Sequence, residues 1–167
     1  MPLSDQGVSA QRYKLIPRTL ILLKRGDRVL LPKGAPHKHI WANLYNGIGG
    51  HIERGEDVLN AARRELNEET GLDAESLRLC GTITVDTGED TGIGIFVLTG
   101  ECRTGEPIFT KEGIPEWVPI TEIDRLPLVE DLTILLPHVL KMRSDDPPFA
   151  AHYTYDSNDR LLINFAE

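Results

Sequence analysis

Apolar residues occur along the chain in short runs separated by polar and glycine-containing segments, a pattern that predicts a mixture of strands and helices. Arg18–Lys24 and Arg28–Leu31 are apolar-rich runs on either side of Gly26-Asp27, which predicts a β-hairpin. Both runs are nearly continuous, as is usual for strands covered on two faces. Further strands are predicted at Gly47–Ile52, Leu77–Asp86, Ile93–Cys102, Pro115–Pro119, His152–Tyr155 and Leu161–Phe165.

Two segments are predicted to be helical. Asp57–Glu69 follows an acidic start that suits the positive end of the helix dipole, and Gly71 is well placed as the left-handed residue that ends it. Glu130–Arg143 is the second segment, with a kink or a fresh start at Pro137. Because helices are available for both faces of one sheet, the pattern favours an α/β fold.

A chain of 167 residues can form one compact domain with a proper core. We therefore expect a single domain over residues 1–167, with a loose N-terminal arm at 1–11 and a loop at 32–42. No apolar run approaches the roughly 20 residues of a membrane-spanning helix, and no secretory signal is visible. Cys80 and Cys102 are isolated, which favours buried thiols in a reducing compartment and hence a cytoplasmic location.

The net charge of −8 argues against general binding of DNA or RNA, which requires a basic surface. A small anionic ligand such as a polyphosphate would also have the same sign of charge as the protein. Bound divalent cations or a few local lysines would then be needed to reverse the sign of the charge in the cleft. Lys33 is one such lysine, because it leaves a predicted strand toward the expected cleft.

The acidic residues of the first predicted helix do not form a solvated stripe. At about 100° per residue, Ala62, Glu65 and Glu69 fall within roughly 60° of one another, and Glu68 lies at the edge of the same sector. These carboxylates share a face with small apolar residues, and like charges at such spacings repel. A divalent cation would offset the repulsion, and Mg²⁺ takes oxygen ligands from carboxylates and phosphates.

Residues around this helix are suited to support a metal and phosphate site. Arg64 could hold a neighbouring carboxylate in position, and Glu56 lies within reach of that arginine if the preceding loop folds back. Gly47, Gly49 and Gly50 would let the backbone come close to a metal ion or a phosphate, where side chains would clash.

This segment resembles the Nudix box, G-x5-E-x7-R-E-U-x-E-E-x-G-U with U aliphatic. The resemblance implies a Nudix-type α/β/α sandwich with a mixed β-sheet and hydrolysis of a nucleoside diphosphate linked to another group. It implies Mg²⁺, or Mn²⁺ in its place, held by Glu65, Glu68, Glu69 and a glycine carbonyl that corresponds to Gly49. The general base stays open among Glu65, Glu68 and Glu112. The specified positions are matched by Gly50, Glu56, Arg64, Glu65, Leu66, Glu68, Glu69, Gly71 and Leu72.

Outside the box, Tyr45–Gly50 and the later Glu112-x-x-Pro115-x-Trp117 look like the oxidised-purine nucleoside triphosphate pyrophosphatases of that family, such as 8-oxo-dGTP diphosphatases. The resemblance implies that Asn46 reads the base and that Glu112 joins the metal site. Those enzymes hydrogen-bond the purine through two acids before a proline. Counted back from Pro137, the two positions hold Asp131 and Leu132, and a one-residue slip offers Glu130 and Asp131 instead.

Three alternatives stay open at this point. The chain is an oxidised-purine triphosphate hydrolase that sanitises the nucleotide pool, a Nudix hydrolase for another compound such as a nucleotide sugar or ADP-ribose, or a module that senses a nucleotide without cleaving it. The partner is in each case a small-molecule nucleotide rather than a nucleic acid polymer or a membrane. Trp41 and Tyr45 could stack on a base or could equally serve packing. The oligomeric state does not follow from the sequence.

Overall fold

The computed structural model describes residues 2–7, 9, 11–36, 40–110 and 113–166. Its two α-helices lie against a sheet of seven strands, and two short 3₁₀ helices cover Leu3–Gln6 and Ile120–Arg125. No helix in these ranges is long and apolar enough to cross a membrane. The regular elements in chain order are β1 Lys14–Arg25, β2 Arg28–Gly34, α1 Val58–Thr70, β3 Ser76–Val85, β4 Thr91–Glu101, β5 Gly113–Pro119, α2 Leu132–Lys141, β6 Phe149–Tyr155 and β7 Leu161–Phe165.

The sheet is mixed, with the strand order β5-β2-β1-β4-β3-β6-β7. The pairs β1–β4 and β3–β6 are parallel, and the other neighbouring pairs are antiparallel. The predicted hairpin β1–β2 is therefore confirmed, and β6 and β7 form a second antiparallel hairpin. The long parallel pairing of β1 with β4 places Lys14, the first residue of β1, opposite Thr91, the first residue of β4.

Each face of the sheet carries one helix, because successive residues of a strand point to opposite faces. Ile21 and Leu23 belong to the apolar cluster that contains Ala62 and Leu66 of α1. Leu22 points the other way, into the cluster that contains α2. All three β1 side chains are fully buried, which explains why this run is apolar without alternation. The α/β/α sandwich expected from the sequence is confirmed.

Helix α1 begins and ends as its sequence predicts. The Asp57 side chain caps the N-terminus by accepting hydrogen bonds from the amides of Leu59 and Asn60, both at 2.9 Å. Gly71 ends the helix in the left-handed conformation with φ of 71°, and its amide donates to the carbonyl of Asn67. These two caps fix which residues of the helix point at the sheet and which point at the glycine-rich loop of residues 46–51.

Several predicted boundaries are wrong. Strand β1 begins at Lys14 instead of Arg18, and β6 begins at Phe149 instead of His152. Three further differences lie in one loop, in β2 and in α2. Gly47–Ile52 is not a strand but makes isolated bridges to β1, because Gly49 has φ of 150° and interrupts a regular ladder. Strand β2 runs on through Gly34, so residues 32–34 pair with β5 instead of opening the loop. Helix α2 begins at Leu132 instead of Glu130 and ends at Lys141 instead of Arg143.

Candidate active site

Arg64 of α1 is the centre of a charged network. Its guanidinium makes a two-point contact with Glu56, with Nε 2.7 Å from Oε1 and Nη2 2.9 Å from Oε2. The Nη1 atom donates to Glu65 at 2.8 Å and to Glu68 at 3.3 Å. Nη2 also donates to the backbone carbonyl of His51 at 3.0 Å. One arginine thus joins the loop before the helix to two of the helix glutamates.

The network has a strong effect on the ionisation of its members. Hydrogen bonds from Arg64 lower the pKa of Glu56 to about 2, and the Glu53 amide contributes to the same shift. In return, hydrogen bonds from Glu56 and Glu65 raise the pKa of Arg64. Glu56 and Arg64 are therefore a fully charged pair over the whole neutral range, and Arg64 is held where it orients Glu65.

The glycine-rich loop lies directly against the helix carboxylates. The Gly49 amide donates to Oε1 of Glu69 at 3.3 Å. A Cβ atom on Gly50 would lie 2.5 Å from Oε1 of Glu65, so a larger residue here would displace that carboxylate. A Cβ on Gly49 would meet the carbonyl oxygen of Thr19 at 2.1 Å. The close approach of backbone to carboxylate thus depends on glycine at both positions.

An open acidic cleft of about 610 Å³ lies between this loop and α1. Glu65 is largely buried, with 15% of its side chain exposed, whereas 60% of the Glu68 side chain is exposed. The cleft is lined by Gly49, Gly50, His51, Glu53, Glu65, Glu68, Glu69 and Thr110.

The donor atoms of this cleft fit a hard divalent cation, since they are carboxylate oxygens and backbone carbonyls. As the side chains stand, no three carboxylate, imidazole or thiolate groups of the described residues converge into a metal-binding cluster. Arg64 instead contacts two of the carboxylates that the sequence assigns to the metal. Glu112, the fourth such carboxylate, lies outside the described residues.

A second cavity of about 460 Å³ adjoins the acidic cleft and shares Gly49, Gly50 and His51 with it. Three of the residues that the sequence assigns to substrate binding, Asn46, Glu130 and Asp131, meet on its wall. The rest of the wall is mostly apolar and aromatic, with Arg18 as the basic side chain. The other lining residues are Arg18, Thr19, Leu20, Trp41, Gly47, Val85, Ile93, Ile95, Val129, Tyr153, Tyr155 and Leu161.

The acidic pair of this cavity is Glu130 and Asp131. Leu132, the alternative member suggested by counting back from Pro137, is fully buried in the core under α2. Asp131 directly precedes α2, and burial raises its pKa, with a smaller contribution from the charge of Glu130. The Oδ1 atom of Asn46, which lines the same cavity, accepts a hydrogen bond from the Gly47 amide at 2.8 Å.

The next three residues, Lys33, Tyr45 and Trp41, differ in whether they line the acidic cleft or the 460 Å³ cavity. Lys33 is not among the described residues that line either space, and its ammonium lies 5.5 Å from the ring centroid of Tyr45. Tyr45 is buried and donates to Glu116 at 2.8 Å, so it serves packing. Trp41 has 51% of its surface exposed and lines the 460 Å³ cavity, with its backbone in the left-handed region at φ of 61°.

Arg18, His51 and Tyr153 also line the site, and the sequence analysis did not assign them to it. Arg18 of β1 and Tyr153 of β6 reach the site because of the order of the strands in the sheet. Tyr153 of β6 faces the site because β6 pairs with β3 in parallel, with Tyr153 opposite Val85. The sequence predicts β6 but contains no local signal for this pairing, so Tyr153 could not have been found without the sheet order. His51 directly follows Gly50, and its place in the loop is the signal that could have found it.

Comparison with known proteins agrees with this geometry. Residues 14–139 match the NUDIX domain family. The chain is 30% identical over 145 residues to the oxidized purine nucleoside triphosphate hydrolase of Danio rerio, covering 86% of this chain and 89% of that protein. A stretch of 73 residues is 33% identical to the NAD-capped RNA hydrolase NudC of Haemophilus influenzae, covering 43% of this chain and 28% of NudC. The mutator MutT protein of Bacillus halodurans has a similar fold, with a TM-score of 0.76 and 25% identity over 90% of this chain and 97% of that one.

Proposed function

The chain belongs to the Nudix family and is a Nudix pyrophosphohydrolase, and we propose that it hydrolyses a nucleoside triphosphate to the nucleoside monophosphate and pyrophosphate. The substrate we favour is an oxidised purine triphosphate such as 8-oxo-dGTP, which would give the protein a role in sanitising the nucleotide pool. Mg²⁺ is the cation we propose, with Mn²⁺ as a substitute.

The observation that carries this proposal is the shared wall between two chemically different spaces. The acidic cleft offers carboxylate oxygens, and the 460 Å³ cavity offers apolar and aromatic surface with an amide and two carboxyl groups. The two spaces meet at Gly49, Gly50 and His51. A nucleotide matches this pair, because its phosphates require cations and its base requires an apolar slot with a few polar contacts.

Glu65, Glu68, Glu69, Glu112 and the Gly49 carbonyl are the groups that would hold the cation. When bound, a divalent cation supplies positive charge that neutralises the phosphate oxygens and polarises phosphorus. This resolves the conflict between an acidic protein and an anionic substrate. Because Arg64 already contacts Glu65 and Glu68, its role in the proposal is to position these carboxylates.

The reaction requires water to attack phosphorus in line with the departing pyrophosphate, and a carboxylate to accept the proton of that water. Glu65, Glu68 and Glu112 are the candidates for this base. Of the two candidates in the described part of the chain, Glu68 is the more exposed. Glu65 is held by Arg64 and lies against the backbone at Gly50. The dependence of kcat on pH, measured for the glutamine variant of each, identifies the base as the residue whose loss removes the acidic limb.

The nucleobase of the substrate is proposed to bind between Asn46 and the pair Glu130 and Asp131. Burial raises the pKa of Asp131, and its carboxyl can accept hydrogen bonds in either state and donate one when it is protonated. Lys33 stays a proposed phosphate contact, and its ammonium would have to leave the Tyr45 ring to act in that way.

The substrate assignment is tested with the purified protein, Mg²⁺ and a panel of 8-oxo-dGTP, the ordinary dNTPs, ADP-ribose, a dinucleoside polyphosphate and an NAD-capped RNA. We expect kcat/KM to be highest for 8-oxo-dGTP, with 8-oxo-dGMP and pyrophosphate as products. Higher kcat/KM for another compound would overturn the substrate and the base contacts but leave the metal-dependent cleft in place. No cleavage of any compound would favour a nucleotide-sensing module.

A further inference from the structure

The hydroxyl group of Tyr153 is a buried polar group without a partner. Tyr153 is 3% exposed, and its oxygen makes no hydrogen bond within the described part of the chain. The same holds there for Nε of Arg18 and Nε1 of Trp117. Two of these three side chains, those of Tyr153 and Arg18, belong to residues that line the 460 Å³ cavity. The unsatisfied hydrogen-bonding groups therefore concentrate at the proposed base site.

The surroundings of Tyr153 explain why its hydroxyl has no internal partner. Its strand neighbours in β3 and β7 are Val85 and Ile163, which have no polar side-chain atoms. Burial raises the pKa of the Tyr153 hydroxyl, and the charge of Asp131 raises it further. The group is consequently a protonated phenol at neutral pH, and among the described residues it is an unpartnered hydrogen-bond donor on a residue that lines the cavity.

A buried donor without a partner destabilises the folded protein, because it has lost its hydrogen bonds to water and gained none. A phenylalanine at position 153 would fill the same volume without this cost. The hydroxyl is therefore expected to make its hydrogen bond with something that enters the cavity, and a ligand with an acceptor atom is the matching chemistry.

We propose that Tyr153 is a specificity-determining residue whose hydroxyl donates a hydrogen bond to an acceptor atom of the nucleobase held in this cavity. The acceptor is a carbonyl oxygen or an unprotonated ring nitrogen, and oxidised purines carry both. This inference rests on the proposed function, because it assumes that the cavity holds the base. It adds a contact to those proposed for Asn46, Glu130 and Asp131, and the added residue belongs to β6.

The test compares Tyr153→Phe with Tyr13→Phe as a control. Tyr13 is 54% exposed, is not among the described residues that line the cavity, and its hydroxyl donates to the backbone carbonyl of Val85 at 3.4 Å. Binding of the product 8-oxo-dGMP is measured by calorimetry with EDTA present, so that the metal site does not contribute. The melting temperature of each ligand-free variant is measured in the same buffer.

We expect Tyr153→Phe to raise the Kd of 8-oxo-dGMP by roughly three- to tenfold, the factor that corresponds to one neutral hydrogen bond. Tyr13→Phe should change this Kd by less than about twofold, because Tyr13 lies outside the described cavity lining and its loss removes no contact to the ligand. The ligand-free Tyr153→Phe protein should melt no lower than the wild type, because the hydroxyl that it loses has no partner. In the hydrolysis assay the same variant should raise KM and retain most of kcat.

An unchanged Kd in Tyr153→Phe, with normal binding by the wild type, would overturn the role of Tyr153 and leave the proposed function standing. A lower melting temperature of the ligand-free variant would also overturn it, because the hydroxyl would then have a partner inside the protein. Failure of the wild type to bind 8-oxo-dGMP would instead overturn the assignment of the cavity to an oxidised base, and the role of Tyr153 with it.

Discussion

Arg64 is the residue through which the charged groups of the cleft are connected. It joins Glu56 in the loop before α1 to Glu65 and Glu68 on the helix, and it binds the backbone of the glycine-rich loop at His51. A guanidinium suits this position because its planar fork can make two parallel hydrogen bonds to one carboxylate and still reach others. A lysine would supply the charge without the geometry.

The difference in stability between the wild type and Glu56→Gln should depend on pH in a defined way. The folded pKa of Glu56 is about 2, below its ordinary value of 4.5, so its stabilising contribution is present above about pH 4.5 and is lost as the pH falls to about 2. Glu56→Gln should therefore melt below the wild type at pH 7, and the difference should close over that range. Glu75→Gln, which removes an exposed carboxylate paired with Arg103, is the control and should show little difference at any pH.

Replacing Gly50 with Ala should impair catalysis more than folding. The new Cβ would lie 2.5 Å from the Glu65 carboxylate, which is the flexible end of a side chain and can move aside. A displacement of this size at a reacting centre can cost roughly 10²-fold in rate. We expect kcat for 8-oxo-dGTP to fall by about that factor while the melting temperature stays close to that of the wild type. Wild-type kcat in this variant would show that the position of Glu65 is unimportant.

The sequence predicts the residues of the cleft better than those of the base cavity. Glu65, Glu68 and Glu69 lie on one helix, so their common face follows from helix geometry alone. Glu130 and Asp131 precede a helix whose first turn could not be located from Pro137. Both line the cavity, whereas Leu132 is fully buried in the core. Tyr153 and Arg18 reach the cavity from separate strands, and only the sheet order brings them together.

At the scale of elements, α1 and the glycine-rich loop work as one unit. The cap at Asp57 and the end at Gly71 set the rotation of the helix, and Gly49 and Gly50 bring the loop against its carboxylates. The helix boundaries follow from the capping residues. The loop was predicted as a strand because periodicity does not reveal the backbone conformation of Gly49.

The cap makes a measurable contribution to stability. Asp57→Ala should lower the free energy of unfolding by about 1 kcal/mol, since it removes the acceptor for the amides of Leu59 and Asn60. Urea denaturation at pH 7 measures the difference. Asp57→Asn is the control, because its side-chain oxygen can still cap the helix, and it should lose much less. An equal loss in both variants would show that charge, rather than capping, is what Asp57 contributes.

At the scale of the whole molecule, the fold places the acidic cleft and the 460 Å³ cavity side by side, where they share Gly49, Gly50 and His51. Helix α1 packs on one side of β1 and α2 on the other, and the loop 46–51 crosses β1 through the bridges of Ile21 with Ile48 and Arg18 with His51. The apolar runs predict the strands and the sandwich. They do not predict the parallel pairing of β1 with β4, which is a contact between distant parts of the chain.

The net charge of −8 affects how the protein can bind an anionic substrate. An anionic substrate is repelled by the surface as a whole, so hydrolysis should require a cation in the cleft. The measurement that tests this most directly is the rate of hydrolysis of 8-oxo-dGTP, or of the best substrate in the panel, as Mg²⁺ is titrated into protein freed of metal with EDTA. Wild type, Glu68→Gln, Glu69→Gln and the surface control Glu75→Gln are compared.

We expect no turnover before Mg²⁺ is added, full turnover in the wild type and Glu75→Gln at saturation, and a loss of about 10²-fold or more in Glu68→Gln and Glu69→Gln. Undiminished turnover in EDTA, or normal turnover by both of these α1 variants, would contradict the account.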